Sequence, residues 1–172
     1  FDVECTQDAS VLTAAKLKEL DAVFFYTTGA LPISEPDFGA LLEWLKSGKG
    51  FVGAHSATDT FGNFKPYFEL INGTFAGHPW GSGTKVTITN HEPTHPIVAM
   101  WEPEFQFVDE IYQYKNYDPT SVRVLLSLNM AKCTPKMPYM VPVSWVREVG
   151  QGRLFYTNLG HNEKTWTDPN FE

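Results

Sequence analysis

The chain has 172 residues, 42% of them hydrophobic and 15% aromatic. That composition belongs to a folded domain with a real core and excludes a disordered chain. Thirteen basic against twenty acidic residues leave a net charge of −7, and no Lys/Arg cluster supplies the footprint of a nucleic-acid binder. No apolar run approaches the roughly 20 residues of a membrane span.

Residues 1–5 alternate in polarity and predict a strand. Ser10 offers an N-cap, and residues 11–20 predict a short amphipathic helix carrying Val11, Leu12, Ala15 and Leu20. Residues 22–26 are β-branched and aromatic, the pattern of a buried strand. Thr27, Thr28 and Gly29 open a loop at its carboxyl end, where they could face a ligand.

The clearest helix follows. Ser34 is its cap, Pro36 sits in the first turn, and Asp37 is placed close to a capping box. Phe38, Leu41, Leu42 and Leu45 recur at helical spacing, and Gly48 supplies the stop. Residues 51–54 then form a small, apolar strand. Strand, helix, strand in this order predicts two parallel strands joined by a right-handed crossover.

At His55-Ser56-Ala57-Thr58-Asp59 the chain turns polar. These residues fall at the carboxyl end of a buried strand, the edge where open α/β sheets bind ligands. Gly53 permits a turn or a close backbone approach there. Ser56 or Asp59 alone would read as a helix cap. The weight of His55 depends on what else reaches the same edge.

Residues 60–83 are rich in aromatics and glycine. A short helix is expected near residues 66–71, a turn at Asn72-Gly73, and a loop over Gly77-His78-Pro79-Trp80. Residues 85–90 predict a strand and residues 91–96 a loop. Residues 104–114 alternate as one strand with Asp109-Glu110 in its middle. Residues 122–128 predict another buried strand. Residues 143–149 and 153–157, flanking Gly150-Gln151-Gly152, predict a hairpin. The last strand runs into Gly160, His161 and Glu163. With no repeat and no linker, residues 1–172 read as one domain. Cys5 and Cys133 read as unrelated thiols.

Two strand ends thus deliver His55 and the pair His161 and Glu163. His78 and Asp109 or Glu110 lie in segments that can fold over the same edge. A histidine oriented by a carboxylate is the working half of many acid/base sites. The same histidines with a carboxylate could instead ligate a divalent metal. No compact ligand spacing decides between the two. The exposed faces of Trp and Tyr would suit sugar rings.

Four stretches, GKGFVGAHSATDTF, GTFAGHPW, FVDEIYQY and GRLFYTNLGHNEKTWTDPNF, together resemble the ThuA-like (trehalose-utilisation) family of the class I glutamine amidotransferase-like superfamily. The resemblance covers nearly the whole chain. It implies an α/β, flavodoxin-like three-layer sandwich, with a mostly parallel central sheet and a C-terminal hairpin. It also implies that the family's first strand and helix, and its last helix, are missing from residues 1–172. In the superfamily's glutaminases a nucleophilic Cys occupies the elbow where His55 stands here. A neutral imidazole is a poor replacement for a thiolate in acyl transfer, so glutamine hydrolysis is not expected.

The resemblance implies a small-molecule carbohydrate as partner, of trehalose type or an oxidised keto-sugar. On this reading His55 and His161 exchange protons and Glu163 orients His161. Ser56, Asp59, His78, Asp109, Glu110 and Trp80 contact substrate. A divalent metal is the open cofactor question. The alternative is a non-catalytic sugar-binding or assembly module that kept the fold. A homo-oligomer or a further domain of a longer chain is expected to cover remaining apolar surface. The cytoplasm is the expected compartment.

Overall fold

A computed structural model describes residues 2–171. Its main sheet has seven strands in the order β1-β2-β9-β8-β7-β4-β5. These are β1 (Ala22–Phe25), β2 (Gly50–Ala54), β4 (Lys85–Asn90), β5 (Glu104–Val108), β7 (Arg123–Leu128), β8 (Pro142–Val149) and β9 (Gly152–Thr157). A separate two-stranded sheet pairs β3 (Thr74–Trp80) with β6 (Ile111–Lys115). The helices are α1 (Ala14–Leu17), α2 (Glu35–Lys46) and α3 (Lys65–Ile71).

Local chemistry explains α2. The Ser34 hydroxyl accepts from the Asp37 amide at 3.2 Å, and Pro36 occupies the first turn. Phe38, Leu41 and Leu45 form its buried stripe. Gly48, at φ +115°, lets the chain leave in a conformation other residues resist. The exit leads into β2, parallel to β1, and β2 is in turn parallel to β9.

The parallel part of the sheet is narrower than the family resemblance implied. Among the described residues it is confined to β1, β2 and β9; the pairings β9-β8, β8-β7, β7-β4 and β4-β5 are antiparallel. The reason is connectivity. Parallel neighbours need a crossover, whereas the short Gly150-Gln151 turn can join only antiparallel strands.

Four further expectations are corrected. Residues 2–5 are exposed and form no strand, and β1 is the edge of the sheet; Phe1 lies outside the described residues. The expected helix over residues 11–20 shrinks to a 3-10 turn, Ala9–Val11, and α1, whose cap is Thr13 rather than Ser10. The stretch Gly77-His78-Pro79-Trp80 is strand, not loop, as part of β3. Residues 104–114 are not one strand either: the chain breaks at Asp109-Glu110 and passes from the main sheet to the small one.

The alternating strands divide their side chains between the two faces. Val23, Phe25, Phe51, Leu154 and Tyr156 join Leu17, Phe38, Leu41, Leu45, Leu70 and Ile71 in one core. A second core gathers Val86, Ile88, Leu126, Val143, Trp80 and Ile111. The small sheet therefore packs on the large one through its own buried residues. Cys5 is exposed, Cys133 is buried, and both are free thiols. No described helix is long and apolar enough to cross a membrane.

Candidate functional site

His55 is the first residue after β2 and opens a 3-10 turn, His55–Asp59. Its φ is +44°, a left-handed conformation that is costly for a residue with a Cβ. Surrounding bonds hold it there. The Tyr156 hydroxyl donates to the His55 carbonyl at 2.8 Å, and the Tyr67 hydroxyl donates to the Ala57 carbonyl at 2.7 Å. Burial pushes the Tyr156 phenol up to about 12, so it remains a donor at neutral pH. Packing around Gly53 is close: a Cβ there would meet Ile71 Cδ1 at 3.0 Å and Ala57 Cβ at 3.2 Å, so its neighbours would have to shift.

The His55 ring is almost fully buried. Its Nδ1 lies 2.8 Å from the Asn158 carbonyl. A carbonyl can only accept, so Nδ1 carries the proton and Nε2 of the neutral ring presents its lone pair. Burial lowers the pKa of His55, opposed in part by that bond and by the Asp109 charge. The ring also packs 4.3 Å from the ring of Tyr112 on β6.

His55 Nε2 faces two other groups. One is His161 Nδ1, at 3.2 Å, and the other is the Glu110 carboxylate, at 3.5 Å. The same carboxylate oxygen is 3.3 Å from His161 Nδ1. Its second oxygen lies 3.4 Å from Nδ1 of His78, on β3. The Glu110 side chain is only 12% exposed, while His161 at 42% and His78 at 54% form the open rim.

Asp109, next to Glu110, is wholly buried. One of its oxygens accepts from the Glu110 and Asn162 amides, at 2.9 and 3.0 Å. The other accepts from the Gly160 amide and the Thr165 hydroxyl, both at 2.8 Å. This carboxylate therefore shapes the loop that carries His161. Gly160, at φ +127°, makes the turn into that loop, and its carbonyl accepts from Tyr26 and Trp166.

The model of the ThuA family, described as trehalose utilisation, matches residues 1–172. The chain belongs to the ThuA family. No curated protein matches the sequence of this ThuA chain. Its fold is that of a ThuA-like protein from Bacteroides uniformis, with a TM-score of 0.78 at 23% identity over 96% of this chain and 70% of the other. A ThuA-like protein from Parabacteroides merdae gives 0.68 at 18% identity, over 87% and 63% of the two chains. A Salmonella typhimurium protein described as cytoplasmic gives 0.62 at 14% identity, over 93% and 70%.

Within this ThuA fold, His55, His161 and Glu110 come together, and His78 joins them from the rim. Glu163 does not. It is exposed at the start of the 3-10 turn Glu163–Thr167, and the carboxylate beside His161 is Glu110. Trp80 is fully buried in the second core and offers no face to a sugar. Asp109 spends its oxygens on the loop instead of on a ligand. Asp59 accepts from the Thr28 hydroxyl at 2.9 Å and ties down the loop after β1. Ser56 is half-buried in the His55 turn. Sequence reasoning missed Tyr156 and Asn158, which set the pose of His55. Asn158 acts through its backbone carbonyl, which no residue pattern announces.

Proposed function

We propose that this ThuA chain is an enzyme of carbohydrate metabolism whose reactive centre is the cluster of His55, Glu110 and His161. The observation that carries the reading is the mutual approach of the three groups, within 3.5 Å, at the carboxyl end of β2. Family membership supports a sugar as the substrate class. A keto-sugar or a disaccharide fits, because imidazole and carboxylate supply proton transfer near neutral pH. His55 is held as a neutral base. His161, at the rim and beside the Glu110 charge, is placed to pass a proton between substrate and solvent. The elbow position holds His55 where a thioester route would need a Cys thiolate. Similarity to a Salmonella protein described as cytoplasmic supports the cytoplasm as compartment.

The test is a panel of disaccharides and keto-sugars assayed for product with the wild type, His55→Ala and His161→Ala. Loss of turnover in both variants, with unchanged circular dichroism, is expected. Turnover unaffected by either change would overturn the assignment. Saturable sugar binding without product in the wild type would assign the chain to the non-catalytic alternative.

A further inference from the structure

We propose that His55 Nε2, His161 Nδ1 and Glu110 form a binding site for a divalent transition metal, zinc in the first instance. The proposal rests on the reading of the cluster as a reactive centre and names what occupies it: with metal bound, His55 Nε2 and His161 Nδ1 would be ligands, and a metal-bound water would take over the proton transfer assigned to them in the metal-free reading.

The three donor atoms form a nearly equilateral triangle with sides of 3.2, 3.3 and 3.5 Å. A tetrahedral metal with bonds of about 2.0–2.1 Å sets its ligand atoms about 3.3–3.4 Å apart. One face of such a coordination shell is therefore already built. Two imidazoles and one carboxylate are a donor set that suits zinc and the neighbouring first-row ions.

The surroundings are those of a ligand set. His55 donates its other ring nitrogen to the Asn158 carbonyl at 2.8 Å. That bond fixes the tautomer and turns the Nε2 lone pair into the triangle, as outer bonds do for metal-bound histidines. His78 Nδ1 stands 3.4 Å from the Glu110 oxygen that faces away from the triangle, and so orients the carboxylate. Asp109 fixes the loop that carries His161. The half-exposed rim leaves the outer side free for water or a substrate oxygen, the arrangement of a catalytic rather than a closed structural site. A metal there would polarise a sugar carbonyl or lower the pKa of a bound water.

The experiment strips the purified full chain with a chelator and titrates it with zinc by calorimetry, and with cobalt by visible absorption. Wild type is expected to bind one equivalent. His161→Ala, a change on the exposed rim, is expected to weaken binding at least about a hundredfold, and His78→Ala about tenfold, the range for an outer-shell partner. No binding by the wild type, or equal binding by His161→Ala, would overturn the site. The titration needs no turnover. One equivalent of metal with no product from any sugar would leave the site standing and overturn the enzyme reading. Turnover by a protein that binds no zinc or cobalt would do the reverse.

Discussion

The Nε2 of His55 lies 3.2 Å from the Nδ1 of His161, although 106 residues separate the two in the chain. Each histidine follows a strand of the parallel part of the sheet, β2 and β9, which pair directly. Glu110 arrives from the break between β5 and β6 and closes the triangle.

The two carboxylates make opposite predictions. Glu110→Gln removes the only carboxylate within 4 Å of the clustered histidines among the described residues. Turnover of the sugar identified in the screen is expected to fall by about a hundredfold or more, the usual scale for loss of an acid/base group. Glu163→Gln alters an exposed residue and is expected to leave turnover within about twofold, as surface changes away from such features usually do. Steady-state kinetics of the two variants side by side decides it. A larger loss in Glu163→Gln would restore Glu163 as the partner of His161.

Asp109→Asn keeps the volume but puts an uncharged amide where the carboxylate accepts from three backbone N–H groups and a hydroxyl. Hydrogen bonds to a buried charge are among the stronger ones, so the loss is expected to be about 2–4 kcal/mol. Urea unfolding followed by fluorescence measures it. A loss below about 0.5 kcal/mol would mean that the loop bearing His161 does not depend on this carboxylate.

Tyr156→Phe deletes one hydroxyl that donates to the His55 carbonyl and contacts Thr58 at 3.0 Å. The buried acceptor is left without its closest donor, which should cost about 1–3 kcal/mol. The left-handed backbone of His55 also loses a restraint, so kcat should drop more than KM rises. Unfolding curves and kinetics on the same preparation check both parts. A variant with unchanged stability would show that the turn is held by packing alone.

Stability should also depend on pH through His55. Burial lowers its folded pKa below the ordinary 6.5. Above that value neither the folded nor the unfolded chain binds the proton, and this residue adds no slope. As pH falls below about 6.5 the unfolded chain takes up the proton first, so stability declines. Metal-free protein should therefore melt at a lower temperature at about pH 5.5 than at about pH 7.5, with a smaller difference in His55→Gln. An undiminished difference in the variant would assign the slope to other groups.

Much of the frame was legible because its signals are local. The Ser34 cap, the stripe of Phe38, Leu41 and Leu45, and the stop at Gly48 need only neighbours in sequence. So does the hairpin around Gly150. The same residues imply that β1 and β2 run parallel and that His55 falls at the carboxyl edge. Where the reading failed, pairing over long distances decided. The alternation of residues 104–114 is the same whether they form one strand or two, and only the partners of β5 and β6 separate them.

By itself the sequence determined the strand-helix-strand unit, the C-terminal hairpin, the family, and the arrival of two histidines at one edge. The tertiary structure alone decided which carboxylate meets them. Glu163 is two residues from His161 yet exposed to solvent, while Glu110 is 51 residues away and in contact. Proximity along a chain constrains direction only within a helix or strand. Between elements, the sheet order and the packing of β3 and β6 onto the main sheet set the distances.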